Sequence, residues 1–310
     1  VVYDHPLSVV LMGFMWWIYA LLAGVSLAGY LLSTGLSRTD AKVLSLYRGM
    51  GAMVVFGPLA FFVTMPQDIH FYVLSGIAGF VVLILDFLMF RAAQDYGAGT
   101  VGRLTPISIA FIFLGWVVYD PAYRDLMVAW PLWQSGAVVL CLVGGIVSLS
   151  AMRHDPIARS AIKVSLVIAL LGAFIDAASK VALDYGSLLD IGLAYMAATG
   201  VAAGITSAVS YIFLMPQVTI RDIFSPSAMI GGALVLLSLA GLILFKMYAM
   251  RDVANPSYVV ALICTAPLWI TLYHKVTKTP DPTDLRAGFA FVICMVGLVL
   301  FSDSSLSAGL

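Results

Sequence analysis

Glutamate is missing from this chain: all sixteen acidic residues are aspartate. Charge of either sign is scarce. Lys and Arg also number sixteen, charged residues make up 10% of the 310, and the formal net charge is zero. A soluble domain carries roughly 25% charged residues, so a water-exposed globular fold is excluded. Without a basic excess there is no footprint for nucleic acid. The three cysteines, Cys141, Cys264 and Cys294, all lie in apolar runs without metal-ligand spacing, and read as buried structural thiols. No phosphate-binding loop, HExxH, GxSxG or dinucleotide fingerprint is present, and the four histidines are scattered at segment ends. ATP-driven chemistry within this chain, an enzymatic role and a bound cofactor or metal are therefore not expected. Residues 1–10 have no basic stretch and no small-residue cleavage pattern, so they do not read as a signal peptide.

What the chain does have is apolar length. Hydrophobic residues make up 62% and the mean hydropathy is +1.04. Ten apolar segments stand out: Ser8–Ser33, Val43–Thr64, Phe71–Ala92, Thr100–Tyr119, Met127–Ser150, Ala161–Leu183, Ile191–Met215, Ala228–Met250, Ser257–Tyr273 and Leu285–Ser302. Each is near the length of about 20 residues that crosses a hydrocarbon core as a helix. Helices are the spanning form this hydrophobicity allows, because no backbone group can stay unpaired in lipid. The connections are too short to hold a soluble domain, so the chain reads as one membrane unit.

The segments echo one another. Gly99–Asp120 carries Arg103 and Pro106 near its start and closes on Asp120; Tyr258–Lys275 carries Pro267 and ends in charge. Tyr19–Gly24 resembles Ile168–Ala173, Leu46–Val55 resembles Ala194–Ala203, and Cys141–Gly144 (CLVG) resembles Cys294–Gly297 (CMVG). These pairs and the two prolines are offset by 148 to 161 residues, a drift that loops absorb. Five helices per repeat is odd, so the halves enter the membrane from opposite sides, an inverted repeat of the kind transporters use. The expected fold is all-α and integral to the membrane: ten transmembrane helices in two inverted five-helix repeats, residues 1–152 and 153–310.

With Arg48 in helix two, an Ala-containing basic stretch ending helix three, Pro106 in helix four, Asp120 closing it, and GVVL-like final helices at Gly136–Val147 and Gly288–Leu300, the chain resembles the drug/metabolite transporter superfamily, specifically its EamA-like members. The resemblance covers nearly the whole chain through diffuse motifs. It departs in having Asp rather than Glu at position 120, and Met196 in helix seven where helix two has Arg48. It implies a metabolite carrier working by alternating access, without naming a substrate.

Ionisable groups deep in a span cost at least about 2.5–3.5 kcal/mol on insertion scales, and so need partners or a watery cavity. Six such groups are Arg48, Asp86, Arg103, Asp176, Lys180 and Lys246. Asp176 and Lys180 stand four apart, on one helix face, and are expected to pair. Asp86 lies deep in helix three and Lys246 at a matching depth in helix eight, positions that an inverted repeat brings together at the midplane. These two are expected to line a water-accessible cavity bordered by Trp116, Tyr195 and Trp269, with Arg48, Arg103 and the Asp176–Lys180 pair completing the set. For Arg48, snorkelling to the interface is the structural alternative. Pro106 and Pro267 are expected to kink or unwind helices four and nine and act as hinges; the remaining tryptophans and many tyrosines read as interfacial anchors.

Loops 1–2, 3–4, 5–6, 7–8 and 9–10 carry ten cations, whereas the tails and other loops carry two, Arg124 and Arg251. The positive-inside rule places the ten in the cytoplasm and both termini outside; the family resemblance implies the reverse. A bacterial inner membrane is the expected location. Three functions fit the sequence. The first is a secondary carrier of a small polar, amino-acid-like metabolite, driven by protons or exchange. The second is an exchanger of organic phosphates or nucleotide sugars, and the third a membrane enzyme or lipid-handling protein. The expected partners are the small-molecule substrate and the bilayer.

Overall fold

The computed structural model describes residues 15–96, 106–152, 159–215, 217–279 and 284–302. They form helices, with no strand among the described residues. In chain order these are α1 (Trp16–Ser37), α2 (Ala41–Phe61), α3 (Ile69–Tyr96), α4 (Ile107–Tyr119) and α5 (Pro121–Ala129). Then come α6 (Leu132–Ala151), α7 (Arg159–Ala182), α8 (Leu188–Leu214) and the single turn α9 (Ile220–Ile223). The chain finishes with α10 (Pro226–Arg251), α11 (Pro256–Ile263), α12 (Ala266–Val276) and α13 (Leu285–Ser302).

Among the described residues, eight helical stretches are long and apolar enough to cross a membrane, counting α11 and α12 as one. Ile107–Tyr119 and Arg286–Ser302 are apolar but shorter. Large apolar side chains cover the outside: Leu132 is 90% exposed, Phe61 88% and Leu237 75%. A surface of that kind belongs against lipid rather than water. This is a multi-pass membrane protein.

The helix starts follow from local chemistry. Asp120 accepts from the Ala122 amide with Pro121 next in line, Ser225 accepts from Ala228 before Pro226, and Asn255 accepts from Ser257 before Pro256. Each cap satisfies an amide that a helix start leaves orphaned, and proline at the first position loses no bond. Outside the spans, Thr219 and Asp222 close a reciprocal capping box, and hydrogen bonds from Thr219 hold the Asp222 carboxyl below the usual carboxylate range.

Two expected segments are divided differently. The run Met127–Ser150 is interrupted at Trp130–Pro131, so Met127 belongs to the short helix α5 and the span starts at Leu132. The run Ser257–Tyr273 is interrupted at Cys264–Thr265. Pro267 sits in the first turn of α12, after the break, where its missing N–H costs nothing. Pro106 immediately precedes α4. The interruption expected near Pro267 is therefore present just before it, at Cys264–Thr265, whereas the stretch before Pro106 lies outside the described residues.

Packing follows the small residues. α1 lies along α10, α3 along both α7 and α8, α2 along α8, and α6 along α13. At the last contact Cys294 Sγ fills the space beside Gly144, and Cys141 Sγ fills the space beside Gly297. A Cβ on Gly79 of α3 would stand 2.6 Å from the Thr199 carbonyl oxygen of α8, so that crossing requires glycine.

Candidate functional site

The interior charges are set by α2, α3, α7 and α10. In α2 the residues Tyr47–Gly51 form a π-helical turn, a form that appears mostly as single turns, often at functional sites. Arg48 sits in it, and its Nε lies 2.7 Å from Asp86 Oδ2 of α3. Both side chains are buried, at 3% and 7% exposure. The N–H is poorly aimed at the oxygen, so the contact is an ion pair more than a linear hydrogen bond. The buried Tyr30 hydroxyl of α1 stands against this pair and makes no well-aligned hydrogen bond. Across the interior, Lys246 Nζ of α10 donates to Asp176 Oδ1 of α7 at 2.9 Å.

Both pairs, with Tyr30 and Tyr195, line one cavity of about 130 Å³. A cavity of about 150 Å³ holds a benzene ring, so this one has room for a small organic molecule or several waters. α1 to α4, α7, α8, α10 and α11 contribute to its wall, together with Cys264 at the helix break. Its polar surface is completed by Ser179, Thr199 and Ser108; the remainder is aliphatic.

Arg48, Asp86, Asp176, Lys246 and Tyr195 are therefore brought together. Arg48 points inward and does not snorkel. Lys180 does not pair with Asp176, although the two share a helix face. Its Nζ donates to the carbonyls of Met250 at 2.6 Å and Val253 at 2.9 Å, where α10 ends and leaves carbonyls unpaired at the negative end of its dipole. Asp176 is taken instead by Lys246. Trp116 does not border the cavity: it is buried against α5 and α11, and its Nε1 donates to the Ala254 carbonyl at 3.0 Å. Nor does Trp269, whose Nε1 donates to Thr265 Oγ1 at 3.1 Å beyond the break. Arg103 lies outside the described residues.

Tyr30, Ser179 and Thr199 were not singled out from the sequence. A tyrosine in an apolar run reads first as an interfacial anchor, and Ser and Thr are common in spans. In the run Ser8–Ser33 Tyr30 stands three residues from the end, and only the continuation of α1 to Ser37 places it inside the span.

Trp116 and Lys180 belong to a second polar group at one end of the bundle. There the Tyr123 and Tyr258 hydroxyls lie 2.6 Å apart, buried, joining α5 to α11. Tyr258→Phe removes the partner of a buried hydroxyl and should cost about 1 kcal/mol in thermal unfolding. Tyr123→Phe on top of it should recover most of that loss, since no orphan hydroxyl is left; further destabilisation by the second change would contradict this.

No family model and no curated protein matches the sequence. Solved structures do. One crystal structure of a protein is 17% identical, with a TM-score of 0.61, over 96% of this chain and 97% of its own. The two chains share a fold. At that identity the likeness concerns architecture alone, and the reading of the cavity rests on its own residues.

Proposed function

We propose that this protein is a secondary transporter of a small polar, amino-acid-like metabolite, working by alternating access, and a carrier rather than an enzyme. The observation that carries the reading is one cavity lined by two ion pairs, Arg48–Asp86 and Asp176–Lys246. Buried charge at membrane depth is costly, and cavity-facing pairs of this kind mark substrate and ion pathways. A net-neutral cavity of mixed sign suits a solute that carries both charges.

In this reading ten helices form two inverted five-helix repeats, residues 1–152 and 153–310, with the substrate site between them. The packing supports it. Matching α1 with α7, α2 with α8, α3 with α10, α4 with α11–α12 and α6 with α13 turns the α1–α10 contact into the α3–α7 contact. The same matching turns the α4–α7 contact into that of α11 with α1, and maps α2–α8 and α6–α13 onto themselves. The reciprocal Cys141–Gly297 and Cys294–Gly144 contacts are those of a two-fold axis, at the CLVG and CMVG echoes. The resemblance to EamA-like drug/metabolite transporters points the same way. The helix break at Cys264–Thr265 beside the cavity is a natural hinge for such a carrier. The ten-to-two cation bias supports a bacterial inner-membrane orientation with both termini outside.

The test is counterflow of labelled amino acids in proteoliposomes. Wild type should exchange an amino acid, and Asp176→Asn and Lys246→Gln should each lower the rate at least about tenfold, a loss of 1.4 kcal/mol. An anion exchanger would keep its turnover in Asp176→Asn and lose it in Lys246→Gln. Wild-type rates in both variants would remove the site from the transport cycle.

A further inference from the structure

Arg48 keeps an unsatisfied N–H. Its Nε lies against Asp86 without an aligned hydrogen bond, and the side chain, 3% exposed, lines the cavity beside Tyr30. The Tyr30 hydroxyl beside it is also without an aligned partner. Buried donors are ordinarily satisfied, and orphans ask for a missing partner. A guanidinium with an unsatisfied N–H beside an unsatisfied hydroxyl has the donor pattern for the two oxygens of a carboxylate. The opposite wall differs. Asp176 offers Oδ1 to Lys246 and leaves Oδ2 without a hydrogen bond, and at 18% it is the most exposed of the four paired groups. That oxygen is an acceptor available for an ammonium. Asp86 is less available, more deeply buried and facing Arg48. Between the polar groups the wall is branched and aliphatic, from Leu27, Val82, Ile175, Val260 and Ile263.

We infer that the cavity divides an aliphatic α-amino acid between its two walls: the carboxylate on Arg48 with the Tyr30 hydroxyl, the ammonium on Asp176, the side chain on the aliphatic wall. This rests on the carrier reading and adds to it the orientation of the solute. α1 and α2 hold one end and α7 the other, so an amino acid bridges the two halves, whereas an amine or an acid alone engages one.

Leucine, 3-methylbutylamine and 4-methylpentanoate are the probes, since they share one side chain and differ in which charge they carry. Binding to the full-length protein in detergent is measured by calorimetry. Leucine should bind at least about tenfold more tightly than either relative. Tyr30→Phe, which removes an oxygen with no aligned hydrogen bond and so leaves folding intact, should weaken leucine and 4-methylpentanoate but not the amine. Arg48→Lys should do the same more strongly. Asp176→Asn should weaken leucine and the amine but not the acid. The inference is overturned if leucine does not bind, if the amine binds as tightly as leucine, or if the Tyr30 and Arg48 variants weaken all three probes alike. Proteoliposomes that exchange a solute lacking one of the two charges, with leucine inert, would overturn it and leave the carrier reading standing. Leucine bound as described but never moved across the bilayer would keep this site and sink the carrier reading.

Discussion

Asp86→Leu alone should destabilise this protein by about 3–5 kcal/mol, and adding Arg48→Met should return most of the loss. The asymmetry comes from burial. Arg48 and Asp86 face each other at 2.7 Å with almost no exposure, so removing the carboxylate leaves a buried guanidinium without its counter-charge. Removing both charges restores an apolar neighbourhood of similar volume, where the desolvation cost of two ions no longer has to be met. Unfolding in detergent, followed by helical signal against denaturant, reads the single and double variants on one scale. A double variant as unstable as Asp86→Leu would mean that the pair does not act as a unit. The folded double variant should still be unable to exchange amino acids, because the groups that grip the solute are gone. Stability and transport would thus separate at a single pair of residues.

Depth and repeat position in the sequence were enough to find most of this cavity. Asp86 stands out because it lies about 15 residues into its run, and Lys246 because the repeat matches its place to that of Asp86; both line the wall. Arg48, only about five residues into its run, leaves snorkelling open until the structure turns it inward. The pairing was not legible. Spacing by four residues joins Asp176 to Lys180 on an isolated helix, but the rule knows nothing of α10, whose Lys246 reaches Asp176 and whose last carbonyls draw Lys180 away. Trp116 and Trp269 were assigned by the helices that carry them, yet the side on which an indole lies depends on helix rotation, which near-uniform hydrophobicity leaves unmarked. Pro267 announced a discontinuity, and one is there; it falls at Cys264–Thr265, because proline is tolerated in the first turn of a new helix and not inside an old one. The ends of the runs were least legible where turn chemistry competes with hydrophobicity, as at Trp130–Pro131. Tyr30 was hidden by its own ambiguity, since the residue that anchors at a membrane surface is the same residue that donates inside a cavity.

Gly172 offers the sharpest separation of transport from folding. It lies in α7 on the cavity wall, and a Cβ placed on it would meet nothing within 4 Å. Gly172→Leu therefore sends its side chain into the space a solute needs, a space of about 130 Å³. Leucine is also the better helix former, by somewhat under about 1 kcal/mol per residue, so the variant should unfold no more easily than wild type. Counterflow should fall at least about tenfold. Gly79 gives the opposite outcome from the same kind of change. A Cβ there would press on the Thr199 carbonyl oxygen at 2.6 Å and the Ala202 methyl at 2.7 Å, both fixed by the α8 backbone. Gly79→Ala should lower stability by about 1–3 kcal/mol through overpacking, although its side chain is the smaller. If size alone governed, leucine would do the greater damage; if open space governs, alanine will. A stable Gly172→Leu protein that exchanges amino acids at the wild-type rate would show that the solute takes a route other than this cavity.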